Sequence, residues 1–187
     1  DEKKITGGKN GFGVKLIFIW SLWGSIETID HTRKLKYIQE FKNNLSIIEK
    51  PTITKYSKKP YTKISFKPDY KRLGLTGLED DILKVFERRI YDIAAVTGEK
   101  VKVLYNNEKI PVKNFQQYIN LYIGSKGETS RIYEKFSERW EYGLCLAPTE
   151  EFTQISFVNG IFTSKGGKHV DYLLNQIIKK LTEYIKK

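Results

Sequence analysis

A glycine-rich loop opens the sequence and restricts what the chain can fold into. Four of the seven residues from Gly7 to Gly13 are glycine, and a dense apolar run of about three turns follows. Glycines let backbone amides turn inward as an anion-binding nest, and a following helix aims its free N–H groups and positive dipole end at the same point. Lys15 adds a mobile ammonium group. The segment predicts a polyphosphate cradle, with an ordinary glycine-rich turn before a helix as the alternative.

The loop differs from two common phosphate-binding motifs. Gly13 is followed by Val14, where a Walker loop has Lys-Ser or Lys-Thr. A dinucleotide-binding loop follows a strand and has the spacing G-x-G-x-x-G, and this sequence has neither.

The composition indicates a folded, basic protein. The chain has 187 residues, of which 40% are hydrophobic and 13% aromatic, so a disordered chain is excluded. No apolar run approaches the ~18 residues of a membrane-spanning helix. The formal net charge of +11 favours an anionic partner, or simply a solvated lysine-rich surface. Methionine is absent and Asp1 comes first, which predicts an internal piece of a longer protein.

The hydrophobic patterns predict an α/β (α+β) fold in two blocks. The first block should place helices on one face of a mixed sheet, and the second should cover another sheet with a long amphipathic helix. Residues 124–130 are the best linker between the blocks. Helices are predicted over residues 11–20, 79–96, 115–123 and 170–185, and strands over residues 23–29, 35–41, 52–56, 61–66, 101–105, 109–112, 132–136, 140–146 and 154–162.

The sequence gives little support to metal binding or hydrolytic catalysis. His31 and His169 stand alone, without a cysteine or carboxylate at ligand spacing. The acidic run from Glu79 to Asp81 is more typical of a helix start than of a metal cluster. Cys145, the single cysteine, excludes an internal disulfide, and no nucleophile elbow accompanies it.

Several collinear segments carry a resemblance to a known family. The segment 6–15 resembles the phosphate-binding box of the GHKL ATPases. The remaining matches cover essentially the whole chain and are similar to eukaryotic-type DNA topoisomerases of type IIA. These segments are YTKISFKPD at 61–69, GLEDDI at 77–82, RRIYDI at 88–93, KNF at 113–115, ERWE at 138–141, QISFVNGI at 154–161 and KGGKHVDY at 165–172.

The resemblance implies a domain organisation and a set of site residues. Residues 1–127 would be the C-terminal part of the ATP-binding domain, and residues 131–187 the N-terminal part of the transducer domain. Thr62 would hold the base, while Lys186 and Lys187 would contact DNA, as a lysine cluster at a helix end can. The triphosphate would be bound by Gly8, Lys9, Asn10, Gly11, Phe12, Gly13, Val14 and Lys15, with Lys15 at its distal end.

This sequence departs from the usual family pattern at four positions. Phe12 replaces the usual Tyr and loses a hydroxyl contact. Val14 is bulkier than the usual Ala, and Lys9 offers a point charge where Arg is common. Gly160 replaces a Ser. None of these changes removes the cradle.

The resemblance also implies what the parent protein does and which parts of it lie elsewhere. The parent would be an ATP-dependent homodimer that passes one DNA duplex through a transient double-strand break, in the nucleus or, for a large DNA virus, in the host cell or virus factory. The catalytic glutamate and the Mg²⁺ ligands would precede residue 1, and the lysine that senses the terminal phosphate would follow Lys187. The isolated chain is therefore expected to be inactive, with ATP and double-stranded DNA as partners and no membrane.

Three other functions remain open at this stage. The nearest is a gyrase B-type subunit, against which RRIYDI and Trp140 argue. The second is a basic nucleic-acid-binding module without an ATPase role. The third is a purely structural dimerisation fragment.

Overall fold

A computed structural model of the chain describes Gly8, residues 10–147, Thr149 and residues 151–187. Its contacts divide the chain into two compact units, residues 8–79 and residues 80–187. No helix in the described ranges is both long enough and apolar enough to cross a membrane.

The described part of residues 8–79 forms one helix and one antiparallel sheet. The sheet order is β3-β2-β1-β5, and β4 pairs with the same edge of β2 further along the strand. Alternating side chains in these strands give the sheet two distinct faces. The elements are α1 (Phe12–Ile19), β1 (Ser21–Asp30), β2 (Leu35–Lys42), β3 (Ile47–Ile48), β4 (Thr52–Lys55) and β5 (Thr62–Pro68).

Helix α1 folds back onto β1 through the buried aromatic side chain of Phe18. The Phe18 ring stacks on Phe41 with centroids 4.7 Å apart. It also lies over Gly24, where an added Cβ would be 2.3 Å from Phe18 Cδ1. A glycine at position 24 is therefore required for α1 to approach the sheet. The Ser21 hydroxyl donates to the carbonyl of Ile17 at 2.6 Å and secures the junction between helix and strand.

Among the described residues of 80–187, three helices combine with three short antiparallel ribbons. The ribbons are β6–β7, β8–β9 and β10–β11. The Ile119 side chain lies against Gly143, where an added Cβ would be 2.7 Å from Ile119 Cδ1. The elements are α2 (Asp80–Val96), β6 (Leu104–Tyr105), β7 (Glu108–Lys109), α3 (Phe115–Ile123), β8 (Arg131–Ser137), β9 (Trp140–Cys145), β10 (Phe157–Val158), β11 (Ile161–Phe162) and α4 (Lys168–Ile185).

The core of this second unit contains a buried polar group. The carboxylate of Asp92, which is 4% exposed, accepts hydrogen bonds from the Tyr118 hydroxyl and from Arg89 Nη1, the latter at 2.9 Å. The Tyr118 hydroxyl also lies 2.9 Å from that of Tyr122. Apolar side chains surround this network: Ala94, Ala95, Ile110, Val112 and Tyr118 itself form the buried cluster.

The sequence predictions of helices agree closely with the structure. Each predicted helix is present within two residues of its predicted ends, and the predicted α/β (α+β) class is confirmed. Between the strands predicted near residues 101–105 and 109–112, Asn106 and Asn107 form the turn of a hairpin with positive φ of 51° and 67°. The packing of α2 and α3 on the first sheet and the domain boundary near residues 127–131 stay predictions.

Two predictions about strands were wrong, and one short strand was not predicted. Residues 154–162 form a hairpin instead of one strand, because Asn159 and Gly160 take positive φ of 51° and 77° and reverse the chain. The pairings among the described strands are antiparallel, not mixed. The short strand β3 was not predicted, because a two-residue strand carries no periodicity.

Candidate nucleotide-binding site

The glycine-rich loop leads into an open helix N-terminus. Gly11 is the N-cap of α1 and has left-handed backbone angles, φ 66° and ψ 15°. It offers no side chain to cap the first turn. Asn10, Gly11, Phe12 and Gly13 are exposed, so the free N–H groups of the first turn face solvent or a ligand. The arrangement has the geometry of an anion site.

The glycines of this loop stand in open space. A Cβ added at Gly8, Gly11 or Gly13 would meet nothing within 4 Å. Gly8 and Gly11 have positive φ, which explains their glycine identity. Gly13 lacks a positive φ and lies inside α1, where glycine costs about 1 kcal/mol relative to alanine. Neither backbone conformation nor packing among the described residues explains glycine at position 13.

Lys15 lies on the exposed side of α1, close to the loop. Its Nζ is 5.7 Å from the centroid of the Phe12 ring. Within the part of the chain that the structure describes, no carboxylate oxygen is within 4.0 Å of this ammonium group. A cation–π contact can hold the ammonium group near the helix N-terminus while leaving it available to an anion.

The opposite end of α1 is fastened by residues distant in sequence. Arg72 Nη1 donates to the carbonyl oxygen of Ile19 at 2.8 Å, and its guanidinium lies 4.3 Å from the Trp20 ring centroid. The backbone N–H of Asp69 donates to the Trp20 carbonyl at 2.9 Å. The helix is thus held at its C-terminus and open at its N-terminus. The sequence does not reveal this role of Arg72, because no local pattern links it to a helix some fifty residues earlier.

Thr62 lies on the same face of the sheet as α1. In the β1–β5 ladder Thr28 pairs with Thr62, and Gly24 pairs with Phe66. Positions four apart in a strand point to the same side, so Thr62 shares the face on which Phe18 packs over Gly24. The Thr62 hydroxyl is 2.8 Å from that of Thr28. Among the described residues no hydrogen bond joins Thr62 to the loop itself.

The remaining predicted residues are Lys9, Val14, Lys186 and Lys187. Lys9 lies outside the described residues, and Val14 is half-buried in the first turn of α1. Lys186 is the C-cap of α4, and Lys187 follows it; both are exposed. A helix C-terminus favours cations, so these lysines are stabilised where they stand and remain accessible to phosphates. In the described ranges, no group of three or more potential metal ligands lies together.

The chain is similar over its whole length to known topoisomerases. The family model described as DNA gyrase B matches residues 99–187. DNA topoisomerase 2 of Saccharomyces cerevisiae is 42% identical over 204 residues, which cover 100% of this chain and 14% of that protein. DNA topoisomerase 2 of Acanthamoeba polyphaga mimivirus is 41% identical over 191 residues, covering 100% of this chain and 15% of that protein.

The fold of the chain also matches a solved topoisomerase structure. The crystal structure of the ATPase region of Saccharomyces cerevisiae topoisomerase II matches with a TM-score of 0.91 and 43% identity. The match covers 100% of this chain and 49% of that chain. The fold is thus that of the ATPase region of yeast topoisomerase II. The chain belongs to the DNA topoisomerase II family, which confirms the resemblance seen in the sequence. It spans 14% of the length of the yeast relative.

Proposed function

We propose that residues 8–15 bind the triphosphate of ATP. The observation that carries this proposal is Gly13, a glycine inside a helix with ordinary φ and open space beside it. A side chain there would occupy the space through which a phosphate reaches the amides of the first turn. The ATPase region of the yeast relative supports the assignment to ATP.

Three parts of the site have separate roles in this proposal. The backbone amides from Asn10 to Val14 bind the phosphates, and Lys15 binds the distal phosphate. Lys15 suits this role because it is exposed beside Phe12 and has no carboxylate within 4.0 Å among the described residues. Thr62 holds the base from the shared face of the sheet, with its hydroxyl oriented by Thr28.

The parent protein, in this proposal, is an ATP-driven homodimeric topoisomerase that passes one DNA duplex through another. The 42% identity to yeast DNA topoisomerase 2 over the whole of this chain favours this function over a gyrase B-type subunit. The matching family model is compatible with both. Magnesium is a cofactor of the parent, with ligands outside residues 1–187. Localisation is nuclear, or in the host cell or virus factory if the source is a large DNA virus.

Replacing Lys15 tests the nucleotide site. In the full-length protein Lys15→Ala should weaken binding of a non-hydrolysable ATP analogue about 10- to 100-fold, because a charge-assisted phosphate contact contributes ~1.5–3 kcal/mol. Isothermal titration calorimetry measures the affinity. Lys109→Ala, at an exposed lysine of strand β7, is the matched control and should bind normally. Unchanged affinity in Lys15→Ala would refute the assignment.

We also propose that Lys186 and Lys187 contact DNA and couple it to the ATP site. Lys186→Glu with Lys187→Glu should reduce DNA stimulation of the ATPase and leave the basal rate nearly intact. The reason is that both side chains are exposed at the end of α4 and neither takes part in an ion pair recorded among the described residues. Steady-state ATPase rates with and without duplex measure this. Equal loss of both rates would mean that these lysines maintain the fold instead.

A further inference from the structure

One end of the sheet in residues 8–79 collects basic side chains from two separate connections. The turn between β1 and β2 and the connection between β4 and β5 meet there. The backbone N–H of Tyr56 donates to the Lys34 carbonyl at 2.8 Å, and the N–H of Ile29 donates to the Tyr61 carbonyl at 3.1 Å. We call this surface the basic end. It consists of Arg33, Lys34, Lys55, Lys58, Lys59 and Lys63, all of which are exposed.

Few carboxylates balance this charge. Residues 27–36 and 55–63 contain seven lysines and arginines against two carboxylates, Glu27 and Asp30. Glu27 is engaged by Lys36, with Nζ to Oε1 at 2.7 Å, and by the Tyr61 hydroxyl. Asp30 is engaged by Arg33 at 3.2 Å and by the N–H groups of residues 32 and 33. Both carboxylates therefore already have cationic partners.

Among the described residues, five lysines of the basic end form no close ion pair, although Lys63 lies opposite Glu27 in the β1–β5 ladder. Within the described ranges, no carboxylate oxygen lies within 4.0 Å of any of their ammonium groups. Lys34 also has a positive φ of 55°, a conformation that glycine or asparagine adopts with less strain. A lysine therefore occupies a turn position whose backbone conformation is unfavourable for it. The five are Lys34, Lys55, Lys58, Lys59 and Lys63.

The shape of the basic end suits an extended polyanion. The connection from β4 to β5 passes the ends of β2 and β1, because β4 pairs with β2 and β5 pairs with β1. Three strand spacings of about 4.8 Å give a width of roughly 14 Å. Duplex DNA carries one charge per ~1.7 Å of axis, so this width faces several phosphates. Lysines contact phosphates as point charges without reading bases.

An anionic membrane fits this surface less well. Membrane-binding segments commonly add apolar side chains that enter the lipid. The tips here are His-Thr-Arg-Lys at residues 31–34 and Ser-Lys-Lys-Pro at residues 57–60, which contain no large apolar side chain. Tyr56 is half-buried, and the Tyr61 hydroxyl is bound to Glu27.

We propose that the basic end binds the phosphate backbone of double-stranded DNA without base specificity, as a contact in addition to Lys186 and Lys187. The inference rests on the proposed function only in taking DNA as the polyanion. It predicts that DNA protects these lysines from chemical modification and that the protection is lost as salt rises, since each phosphate contact releases a counterion.

Amine acetylation read by mass spectrometry tests the proposal in the full-length protein. A duplex at about 50 mM salt should slow acetylation of Lys55, Lys58 and Lys59 at least about threefold, and the protection should be lost at several hundred millimolar salt. The exposed lysines 100, 102 and 109 are the internal control and should keep their rates. In a second measurement, changing all of Lys55, Lys58 and Lys59 to Gln should reduce the slope of log affinity against log salt by about 1 to 3, and the same change at the control lysines should not.

Each other outcome overturns the inference. Equal protection of the control lysines would show a general charge effect. Protection by vesicles of anionic phospholipid but not by duplex would assign the surface to membranes. Protection of Lys186 and Lys187 alone would leave the proposed DNA contact at α4 intact and remove this one. Loss of nucleotide binding in Lys15→Ala is independent of all these results.

Discussion

Each of the two units of this chain is stabilised internally by a different kind of contact. In residues 8–79 the key contact is steric, because Phe18 lies directly on Gly24 and stacks on Phe41. In residues 80–187 the core encloses a carboxylate, Asp92, which depends on hydrogen bonds from Tyr118 and Arg89. The first contact depends on shape and carries no titratable group. The second depends on hydrogen bonds and includes the titratable hydroxyl of Tyr118.

This difference matters for function because the steric contact fixes the helix whose N-terminus forms the candidate nucleotide site. Phe18 fixes α1 on the sheet, and the open N-terminus of α1 lies six residues earlier. A site built on a helix held by packing keeps its geometry when charges in its surroundings change. The polar core, by contrast, gives residues 80–187 a dependence on pH. The two units should therefore respond differently to substitution.

Gly24→Ala should have the largest effect on stability. A Cβ at 2.3 Å from Phe18 Cδ1 forces the ring or the strand to move, and overpacking of this kind costs about 3 kcal/mol. Hydrogen exchange measured by mass spectrometry should show faster exchange in peptides covering residues 12–42 and little change in peptides covering residues 80–123. Nucleotide affinity should fall together with this protection.

Gly13→Ala is the matched control for that substitution. Its Cβ meets nothing within 4 Å, and alanine favours the helix, so exchange should be unchanged or slower. Nucleotide affinity should nevertheless fall. If Gly24→Ala leaves exchange in residues 12–42 unaltered, the steric account of this unit is wrong.

Tyr118→Phe should have the second largest effect and should act on the other unit. The hydroxyl is buried and donates to Asp92, so removing it leaves a buried carboxylate with one partner fewer, at a cost of about 1–2 kcal/mol. Exchange should accelerate in peptides covering residues 88–123. Leu121→Ala, at a neighbouring position that is 55% exposed, is the control and should change little.

The same variant should reduce the sensitivity of this unit to alkaline pH. Burial and the hydrogen bond to Asp92 raise the pKa of Tyr118, and burial together with Glu141 raises the pKa of Tyr133 to about 12. A raised tyrosine pKa stabilises the fold fully below the unfolded value near 10, and this stability is lost as pH rises from 10 through 12. The hydrogen bond to Glu27 raises the pKa of Tyr61 too, but Tyr61 is 39% exposed and should contribute less. Equal alkaline loss in wild type and Tyr118→Phe would contradict this account.

The sequence predicted the helices better than the contacts that hold them. Helical periodicity is local, so residues 115–123 and 79–96 could be assigned from their own side chains. The hairpin at Asn159 contains Asn-Gly, a strong turn signal, but the apolar residues on both sides of it form a pattern that predicts one continuous strand.

In the candidate site, too, local features could be predicted from the sequence and contacts between distant residues could not. The loop and Lys15 are recognisable from consecutive residues, whereas Thr62 required the family resemblance. Arg72 and the basic end could not be predicted, because residues distant in sequence meet there only after the sheet forms its register.

The smallest expected effect concerns α4, where amphipathic periodicity and burial disagree. Its apolar stripe is half-buried around Leu173, yet Leu181 is 55% exposed, and none of the helix residues is fully buried among those described. Leu181→Gln should therefore change the free energy of unfolding of this chain by no more than about 0.5 kcal/mol, and Leu173→Gln should cost more. Thermal unfolding at two protein concentrations measures both. A loss above about 1 kcal/mol for Leu181→Gln, growing with concentration, would mean that a second copy covers this end of α4, because only an association that buries Leu181 depends on concentration.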